Sequence, residues 1–429
     1  MSLQLHVDHP DGLLDLPRRI TVSGASPGRV VSVRATTERN GVSWSAQASW
    51  LASDTGEVDL GRDAPVSGDI GRVDPMGLWW AQLPEQAGAN PWPREVTEPL
   101  RTQLTAWEET LRPDTPATAE VSQRFLAEGV RRSEIRHAGL VGTLFTPPGD
   151  EPFRTVVVLN GSGGGINEAR ASLYASRGLQ AFALGYFRAP GLPDSITHTP
   201  LEYLQRGLRW AASELNPAGG RVAVSGQSRG GELSLLLGAR FPELVDAVAA
   251  IVPGAYVHGA QGASGGAGWD APAWTWQGEP LPHLWQRNPG VSWQPWDGEP
   301  PPQRHRNVFI DGLRDAGFAE QVRIPVEHIQ GPVLCVSGMD DRAWPSSLYS
   351  RIVVDAVRRS GGEAHHCDYP DAGHAIGLPN LHSTQFATIH PVSGVPYSNG
   401  GTAWGNAVAG AESFEAIVRF LSSTPAPRS

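Results

Sequence analysis

The sequence predicts an α/β protein built on a doubly wound, mostly parallel sheet, preceded by a smaller antiparallel β-sandwich. Three observations lead there. From about Ser133 onward, continuous apolar runs alternate with helical segments, the βαβα pattern of a sheet covered on both faces. Ahead of it, short runs alternate apolar and polar residues between Gly, Pro, Asn and Asp. In the second part, Gly226-Gln227-Ser228-Arg229-Gly230 stands between a strand and a helix. That stretch fits a nucleophile elbow, a turn so sharp that the serine backbone is strained and its Oγ is pushed outward. Side chains at the flanking glycines would strike the neighbouring strand and helix. An ordinary strand–turn–helix can carry the same pattern, so the serine's partners decide its meaning.

The first part justifies its strands one by one. Ile20–Ser23, Val30–Ala35 and Trp44–Trp50 alternate apolar and polar, and Thr55–Leu60 continues the series. Asp74-Pro75-Met76-Gly77-Leu78-Trp79-Trp80 reads as an apolar plug closing this core. Pro91 to Pro116 reads as a connecting segment, and Val121 to Gly139 returns to a sheet-like pattern. The expected division is an N-terminal sandwich with its connector over 1–132 and a second domain over 133–429.

In the second part Thr155–Leu159 is a central parallel strand, followed by a helix over Arg170–Arg177 and a strand over Gln180–Leu184. A helix over Pro200–Leu215 places Leu201, Leu204, Leu208 and Ala211 on one face. Arg221–Ser225 is the strand entering the elbow, and Ala247–Val252 and Pro332–Ser337 are two more. The pattern breaks over 254–330. Residues 254–302 are rich in Gly, Pro and Trp, including Trp269, Trp274, Trp276, Trp285, Trp293 and Trp296. Long loops inside compact domains are uncommon unless functional. The segment follows the strand next to the elbow strand, so it reads as a lid or pocket wall, or else as a surface excursion whose tryptophans pack on one another.

Bulk properties exclude several function classes. The chain has 429 residues, 40% hydrophobic and 18% charged, as expected of a soluble globular protein of two or three domains. No run is apolar enough to span a bilayer. Met1–His6 lacks the basic and apolar regions of a secretory leader, and Thr424–Ser429 is not a peroxisomal tripeptide, so a cytoplasmic location is expected. A net charge of −10 disfavours nucleic acid or an anionic membrane as partner. All 34 cationic side chains are arginine, which excludes a lysine Schiff base and a Walker-type phosphate loop. Cys335 and Cys367 fall within strands and read as buried, reduced thiols.

Ser228 requires a base and an orienting acid, in the chain order serine, acid, histidine. The strand ending at Ser337 runs into Gly338-Met339-Asp340-Asp341, where a carboxylate can reach an imidazole above the sheet edge. Asp341 has the expected spacing from Gly338, with Asp340 as the alternative. The strand Cys367–Tyr369 leads to Asp371-Ala372-Gly373-His374, which places His374 to bridge acid and serine. For the oxyanion, the expected donors are the amide of Arg229 and that of Ser162 or Gly163 in the loop Asn160–Gly165. His365, His366 and Cys367 lack metal-ligand spacing. No metal or organic cofactor is expected.

These motifs together resemble the acyl-CoA thioesterase/bile acid-CoA:amino acid N-acyltransferase family, over nearly the whole chain. The resemblance rests on Gly56–Leu60, Asp74–Trp80, Gly161–Gly165 with Arg170–Leu173, Ala183–Phe187, Gly226–Glu232, Ile324–Glu327, Gly338–Asp341 and Tyr369–His374. It implies an immunoglobulin-like sandwich followed by an α/β-hydrolase domain, with an acyl thioester, acyl-CoA above all, as substrate. Ser228, Asp341 and His374 match the family's nucleophile, acid and base. The family usually has lysine after the nucleophile where this chain has Arg229. Within the family, serine at the nucleophile position goes with thioesterases and cysteine with amino-acid transfer. The expected activity is therefore thioester hydrolysis through an acyl-enzyme. The alternatives are acyl transfer to an amine or alcohol, hydrolysis of a carrier-free ester, and a non-catalytic binding protein on the same fold. Covalent labelling of Ser228 by a fluorophosphonate separates the last from the others.

Overall fold

In the computed structural model the described residues are 2–90, 92–93, 95–109, 116–260, 271–286, 300, 302–390, 392 and 394–423. The chain divides into two compact units. The first comprises Met1–Ala127 together with Gly377–Gln385 and Thr402–Ala411; the second comprises Glu128–Ile376, Phe386–Gly401 and Glu412–Ser429.

The first unit contains two sheets. Strands β1 (Gln4–Val7), β3 (Ile20–Ser23) and β6 (Val58–Asp59) form the smaller. The larger runs β2 (Asp11–Leu13), β10 (Ala117–Arg124), β9 (Leu100–Glu108), β4 (Val30–Arg39), β5 (Val42–Leu51), β7 (Ser67–Gly68), with β8 (Leu83–Pro84) also on β5. All pairs are antiparallel except β2 with β10. Val31, Val33 and Ala35 alternate into the core with Ala46, Ala48 and Trp50 from the partner strand. The stretch Gly77–Trp80 forms a short helix, α1, whose Leu78 and Trp79 are fully buried, as the apolar plug expected.

Two sequence expectations need correction here. The segment 91–116 contains β9, a central strand, and is not merely a connector. Its inward positions are Leu100, Thr102, Leu104 and Ala106, so half the buried face is small or polar and the apolar alternation is faint. Thr102 is satisfied inside by Thr37 Oγ1 at 2.7 Å and by Trp79 Nε1 at 3.2 Å. The boundary is also not a single cut near residue 132, because residues from the far end of the chain complete the first unit. Asn380 donates to the Leu14 carbonyl at 2.9 Å, Ser383 N–H to Trp80 O at 2.9 Å and Thr384 Oγ1 to Gln82 O at 2.6 Å. The Trp404 ring packs tilted at 60° against Trp80, with centroids 5.9 Å apart. The fully buried Arg39 guanidinium donates to His382 Nδ1 at 2.8 Å and to Gln82 Oε1 at 2.7 Å. Burial and then the Arg39 charge hold the His382 imidazole far below its ordinary pKa, so it stays neutral and accepts.

The second unit is built on an eight-stranded sheet. Its order is β11 (Arg131–His137), β12 (Leu140–Thr146), β14 (Gln180–Gly185), β13 (Thr155–Leu159), β16 (Val222–Gln227), β17 (Val245–Ile251), β20 (Val333–Gly338), β21 (Ala364–Tyr369). The six strands from β14 to β21 are parallel, and β12 pairs antiparallel on both sides. Strands β13, β14, β17 and β20 are buried at every position, which is why their sequences are mostly apolar, the exceptions Thr155, Gln180, Asp246 and Ser337 each being hydrogen-bonded. Helices α2 (Glu168–Ser176), α3 (Leu201–Glu214) and α4 (Arg229–Arg240) follow β13, β14 and β16. The strand order and its antiparallel second strand make this an α/β-hydrolase sheet. Parallel strands all end at one edge, and that edge carries the loops described next.

Within 254–330, β18 (Trp274–Trp276) pairs with β15 (Thr199–Pro200) and β19 (Glu279–Pro280), and helices α5 (Arg306–Asp311) and α6 (Ala316–Gln321) follow. Trp274 and Trp285 are buried, and Trp276 packs on Phe241 and Arg240. Trp269, Trp293 and Trp296 lie outside the described residues.

Candidate active site

Strand β16 delivers Ser228 to the sheet edge, and α4 starts at the next residue. The Ser228 backbone sits at φ 58° and ψ −120°, a strained region for a residue with a side chain. Its N–H is anchored to Ile251 O at 2.8 Å. A Cβ on Gly226 would lie 2.3 Å from Gly230 O, and one on Gly230 would lie 2.5 Å from Asn160 O. Both flanking positions therefore exclude side chains.

The loops after β20 and β21 bring the other two groups. His374 Nε2 lies 2.9 Å from Ser228 Oγ, and His374 Nδ1 lies 2.8 Å from Asp341 Oδ2. The His374 N–H donates to Asn399 O at 2.7 Å, and the Trp344 ring meets the imidazole edge-on at 5.8 Å. Asp341 is 1% exposed and fully engaged. Its Oδ1 accepts from the N–H groups of Ala343 at 3.0 Å and Trp344 at 3.2 Å, and Ser346 Oγ donates to Oδ2 at 2.6 Å. A carboxylate so placed accepts the hydrogen bond from His374 Nδ1–H, which fixes the proton on Nδ1 and leaves a lone pair on Nε2 facing the serine. Asp340, the alternative, is partly exposed and bonds Arg342 Nε at 3.0 Å and Gly401 N–H at 2.9 Å.

The loop Asn160–Gly165, from which an oxyanion donor is expected, runs beside Ser228. A Cβ on Gly161 would lie 3.5 Å from Ser228 Cβ, so the loop passes against the nucleophile. Among the described residues the N–H groups of Ser162 and Gly163 have no hydrogen-bond partner. The N–H of Arg229 opens α4 and has no acceptor within the helix. Ser162, Ser228, Arg229 and His374 line one cavity of about 30 Å³, closed by His305, Phe309, Ala343, Trp344, His390 and Tyr397. His305 and Phe309 come from the 254–330 excursion, so that segment supplies wall residues. Burial pushes the His305 pKa down to about 3. Burial, then the charges of Arg229 and Arg188, push that of His390 down to about 4.

Sequence reasoning used only the backbone of Arg229. Its side chain is 3% exposed and turned inward, donating to both Glu232 oxygens at 3.0 Å and to the carbonyls of His258 at 3.2 Å and Gly259 at 2.9 Å. Glu232 also accepts from His258 Nδ1 at 2.8 Å. Burial alone would raise the Glu232 pKa; Arg229 and His258 outweigh it and hold the carboxyl below its usual range. This buried network ties the first turn of α4 to the chain after β17. Glu232, three residues into the helix, was visible as an acid beside a cation at i,i+3; His305, His390 and Tyr397 carried no local signal. Cys335 and Cys367 are free thiols, and burial pushes the Cys335 thiol up to about 12. Among the described residues no group of three or more His, Cys, Asp or Glu could hold a metal ion, and no helix is long and apolar enough to cross a membrane.

Comparisons with known proteins bear on the whole chain. Residues 15–137 match the family model described as the acyl-CoA thioester hydrolase/BAAT N-terminal region. Residues 199–425, more than half the chain, match the BAAT/acyl-CoA thioester hydrolase C-terminal model. Acyl-coenzyme A thioesterase 1 of Homo sapiens is 30% identical over 426 residues, covering 95% of this chain and 93% of the relative. Acyl-coenzyme A amino acid N-acyltransferase 1 of Mus musculus is 28% identical over 448 residues, covering 98% and 97%. Among solved structures, an esterase of Pyrobaculum calidifontis matches with a TM-score of 0.41 and 16% identity over 69% of this chain and 85% of that one. By the match of its C-terminal half and more, and by identity sustained along its length, the chain belongs to the acyl-CoA thioester hydrolase/BAAT family.

Proposed function

We propose that this protein is a serine hydrolase that cleaves acyl thioesters, with acyl-CoA as the substrate class, through an acyl-enzyme. The observation that carries this is the unbroken hydrogen-bond chain Asp341–His374–Ser228 at the C-terminal edge of the parallel sheet. Ser228 Oγ attacks the thioester carbon as its proton passes to His374 Nε2. The carbonyl electron pair moves onto oxygen, where the amides of Arg229 and of Ser162 or Gly163 receive the charge. Asp341 stabilises the imidazolium without taking its proton. Collapse of the intermediate breaks the C–S bond, and the departing sulfur takes the proton from His374. Water, deprotonated by the same imidazole, then releases the acid and restores Ser228. The family relation also supports reading the N-terminal β-unit as immunoglobulin-like.

A second reading, transfer of the acyl group to an amine, is favoured by the similarity to the mouse N-acyltransferase. The two differ only in which nucleophile opens the acyl-enzyme. The test is free-thiol release from acyl-CoAs of graded chain length, repeated with glycine or taurine while N-acyl product is measured. If no acyl-CoA releases thiol and a fluorophosphonate fails to label Ser228, the proposal is wrong.

A further inference from the structure

Ser162 was expected to serve the reaction through its amide. Its side chain is placed for more. Ser162 Oγ lies 2.8 Å from His390 Nε2, and both groups line the cavity that holds Ser228. Which of the two is the donor is decided on the far side of the ring. There His390 Nδ1 accepts the N–H of Val392 at 3.3 Å, so Nδ1 carries the lone pair. A neutral imidazole has one N–H, which must then be on Nε2. The ring does stay neutral, because burial and the charges of Arg229 and Arg188 oppose a second proton. His390 therefore donates to Ser162 Oγ, and the hydroxyl keeps its own proton to give elsewhere. With the opposite tautomer, Ser162 would spend that proton on His390 and have none to offer. Among the described residues the hydroxyl has no other partner. The open space beside it is the cavity of about 30 Å³, large enough for a group the size of one water, such as a carbonyl oxygen.

We propose that the Ser162 hydroxyl is a side-chain donor to the oxyanion, and that His390 is the positioning residue that turns its proton toward the substrate. This rests on the serine-hydrolase reading above and extends it from backbone donors to a hydroxyl. No proton is transferred. When Ser228 Oγ bonds to the acyl carbon and the carbonyl pair moves to oxygen, the Ser162 O–H shortens its hydrogen bond to the new anion. It relaxes when the C–S bond breaks and the carbonyl re-forms. A hydrogen bond to an ion is about twice as strong as one to a neutral group, so the hydroxyl favours the transition state over the bound substrate.

The experiment uses the full-length enzyme and the acyl-CoA that releases thiol fastest. Ser162→Ala should lower kcat on the order of a hundredfold with KM little changed, the usual cost of one oxyanion donor. Ser162→Thr keeps the hydroxyl and should retain most of the rate. His390→Leu should fall as far as Ser162→Ala, whereas His390→Gln, whose amide can donate from the place of Nε2, should recover much of it. The double variant Ser162→Ala/His390→Leu should be no slower than either single one. A boronic acid that mimics the tetrahedral intermediate should lose affinity in proportion to kcat. Thermal melts show whether each variant is folded, and the contrast between His390→Gln and His390→Leu holds even if Ser162→Ala is unstable. Wild-type kcat in Ser162→Ala, equal losses in the two His390 variants, or losses that multiply in the double variant would overturn the inference. Ser228→Ala separates the two levels. If it remains active, the hydrolase reading falls as well. If it is dead while Ser162→Ala is wild type, only the hydroxyl's role is refuted.

Discussion

Asp341→Asn probes the site because all four hydrogen bonds to the carboxylate are donations, and an amide can accept only half of them. Two orientations are open to the asparagine. With its NH₂ toward Oδ1's place, it faces the N–H groups of Ala343 and Trp344, which cannot turn away. Each buried N–H left unsatisfied costs about 1–3 kcal/mol, so this orientation is worse by roughly 2–6 kcal/mol. With its NH₂ toward Oδ2's place, it faces His374 Nδ1 and Ser346 Oγ, and both can adapt. The serine hydroxyl rotates to accept, and the imidazole moves its proton from Nδ1 to Nε2. The second orientation wins, and its consequence is chemical. A proton on Nε2 leaves His374 unable to take one from Ser228, and a change of that kind lowers kcat by roughly ten-thousand-fold. The melting temperature should shift little. Single-turnover thiol release and a thermal melt of the same preparation check both halves. Asp340→Asn, at a half-exposed group that bonds Arg342 and Gly401, should stay within a few-fold of wild type. If Asp341→Asn keeps a tenth or more of the activity, or if Asp340→Asn is the crippling change, the assignment of the acid fails.

Three further outcomes are expected. Glu232→Gln leaves the Arg229 charge buried without its counter-ion, which should cost roughly 3–5 kcal/mol in urea denaturation; a loss below about 1 kcal/mol would mean the network is slack. His305 and His390 are held neutral in the fold with pKa values near 3 and 4, so the unfolded chain binds more protons once the pH drops below about 6.5. Stability should be fully present above that pH and fall toward pH 4 by about 1.4 kcal/mol per unit for each ring, and His390→Gln should flatten the slope measured by denaturation at several pH values. Ser228→Cys replaces an oxoester intermediate by a thioester, which is relatively more reactive to amines than to water. With glycine or taurine present, the ratio of N-acyl product to free acid should rise, and an unchanged ratio would show that acceptor binding or water access sets the outcome.

The parts of this fold that announce themselves in the sequence are those where one physical demand fixes the residue. Strands buried on both faces must be largely apolar, and Val156–Leu159 of β13 reads as such. The elbow demands glycine where Gly226 and Gly230 would otherwise collide with backbone, and Gly338 and Gly373 mark similar close approaches beside Asp341 and His374. Strand β9 escaped because its inward face accepts Thr102 and Ala106, and the demand there is small size plus an internal hydrogen bond. His390 escaped for a different reason. Its tautomer is set by a backbone N–H two residues away and its target is Ser162, 228 positions earlier, so no local spacing encodes the pairing. The Asp340/Asp341 choice, open on residue type alone, is proposed in favour of Asp341 because its carboxylate is the one surrounded by buried donors, His374 Nδ1 among them.

The residues that complete the first unit from the far end of the chain have a consequence for how the protein is made. Arg39 leaves the ribosome long before His382, 343 positions later, and Trp80 long before Trp404. Closing a flexible loop of that length costs about 5 kcal/mol of chain entropy, taking (3/2)RT ln n. The first-synthesised part of the polypeptide is therefore finished last. Until synthesis nears its end, it holds a buried-arginine site without its imidazole and a Trp80 without its aromatic neighbour. A fragment stopping at residue 132 should accordingly be loosely packed and prone to aggregate, even though β1 to β10 are all present. A permuted gene that moves the 377–411 coding segment to the front would give the nascent first unit its missing pieces at once.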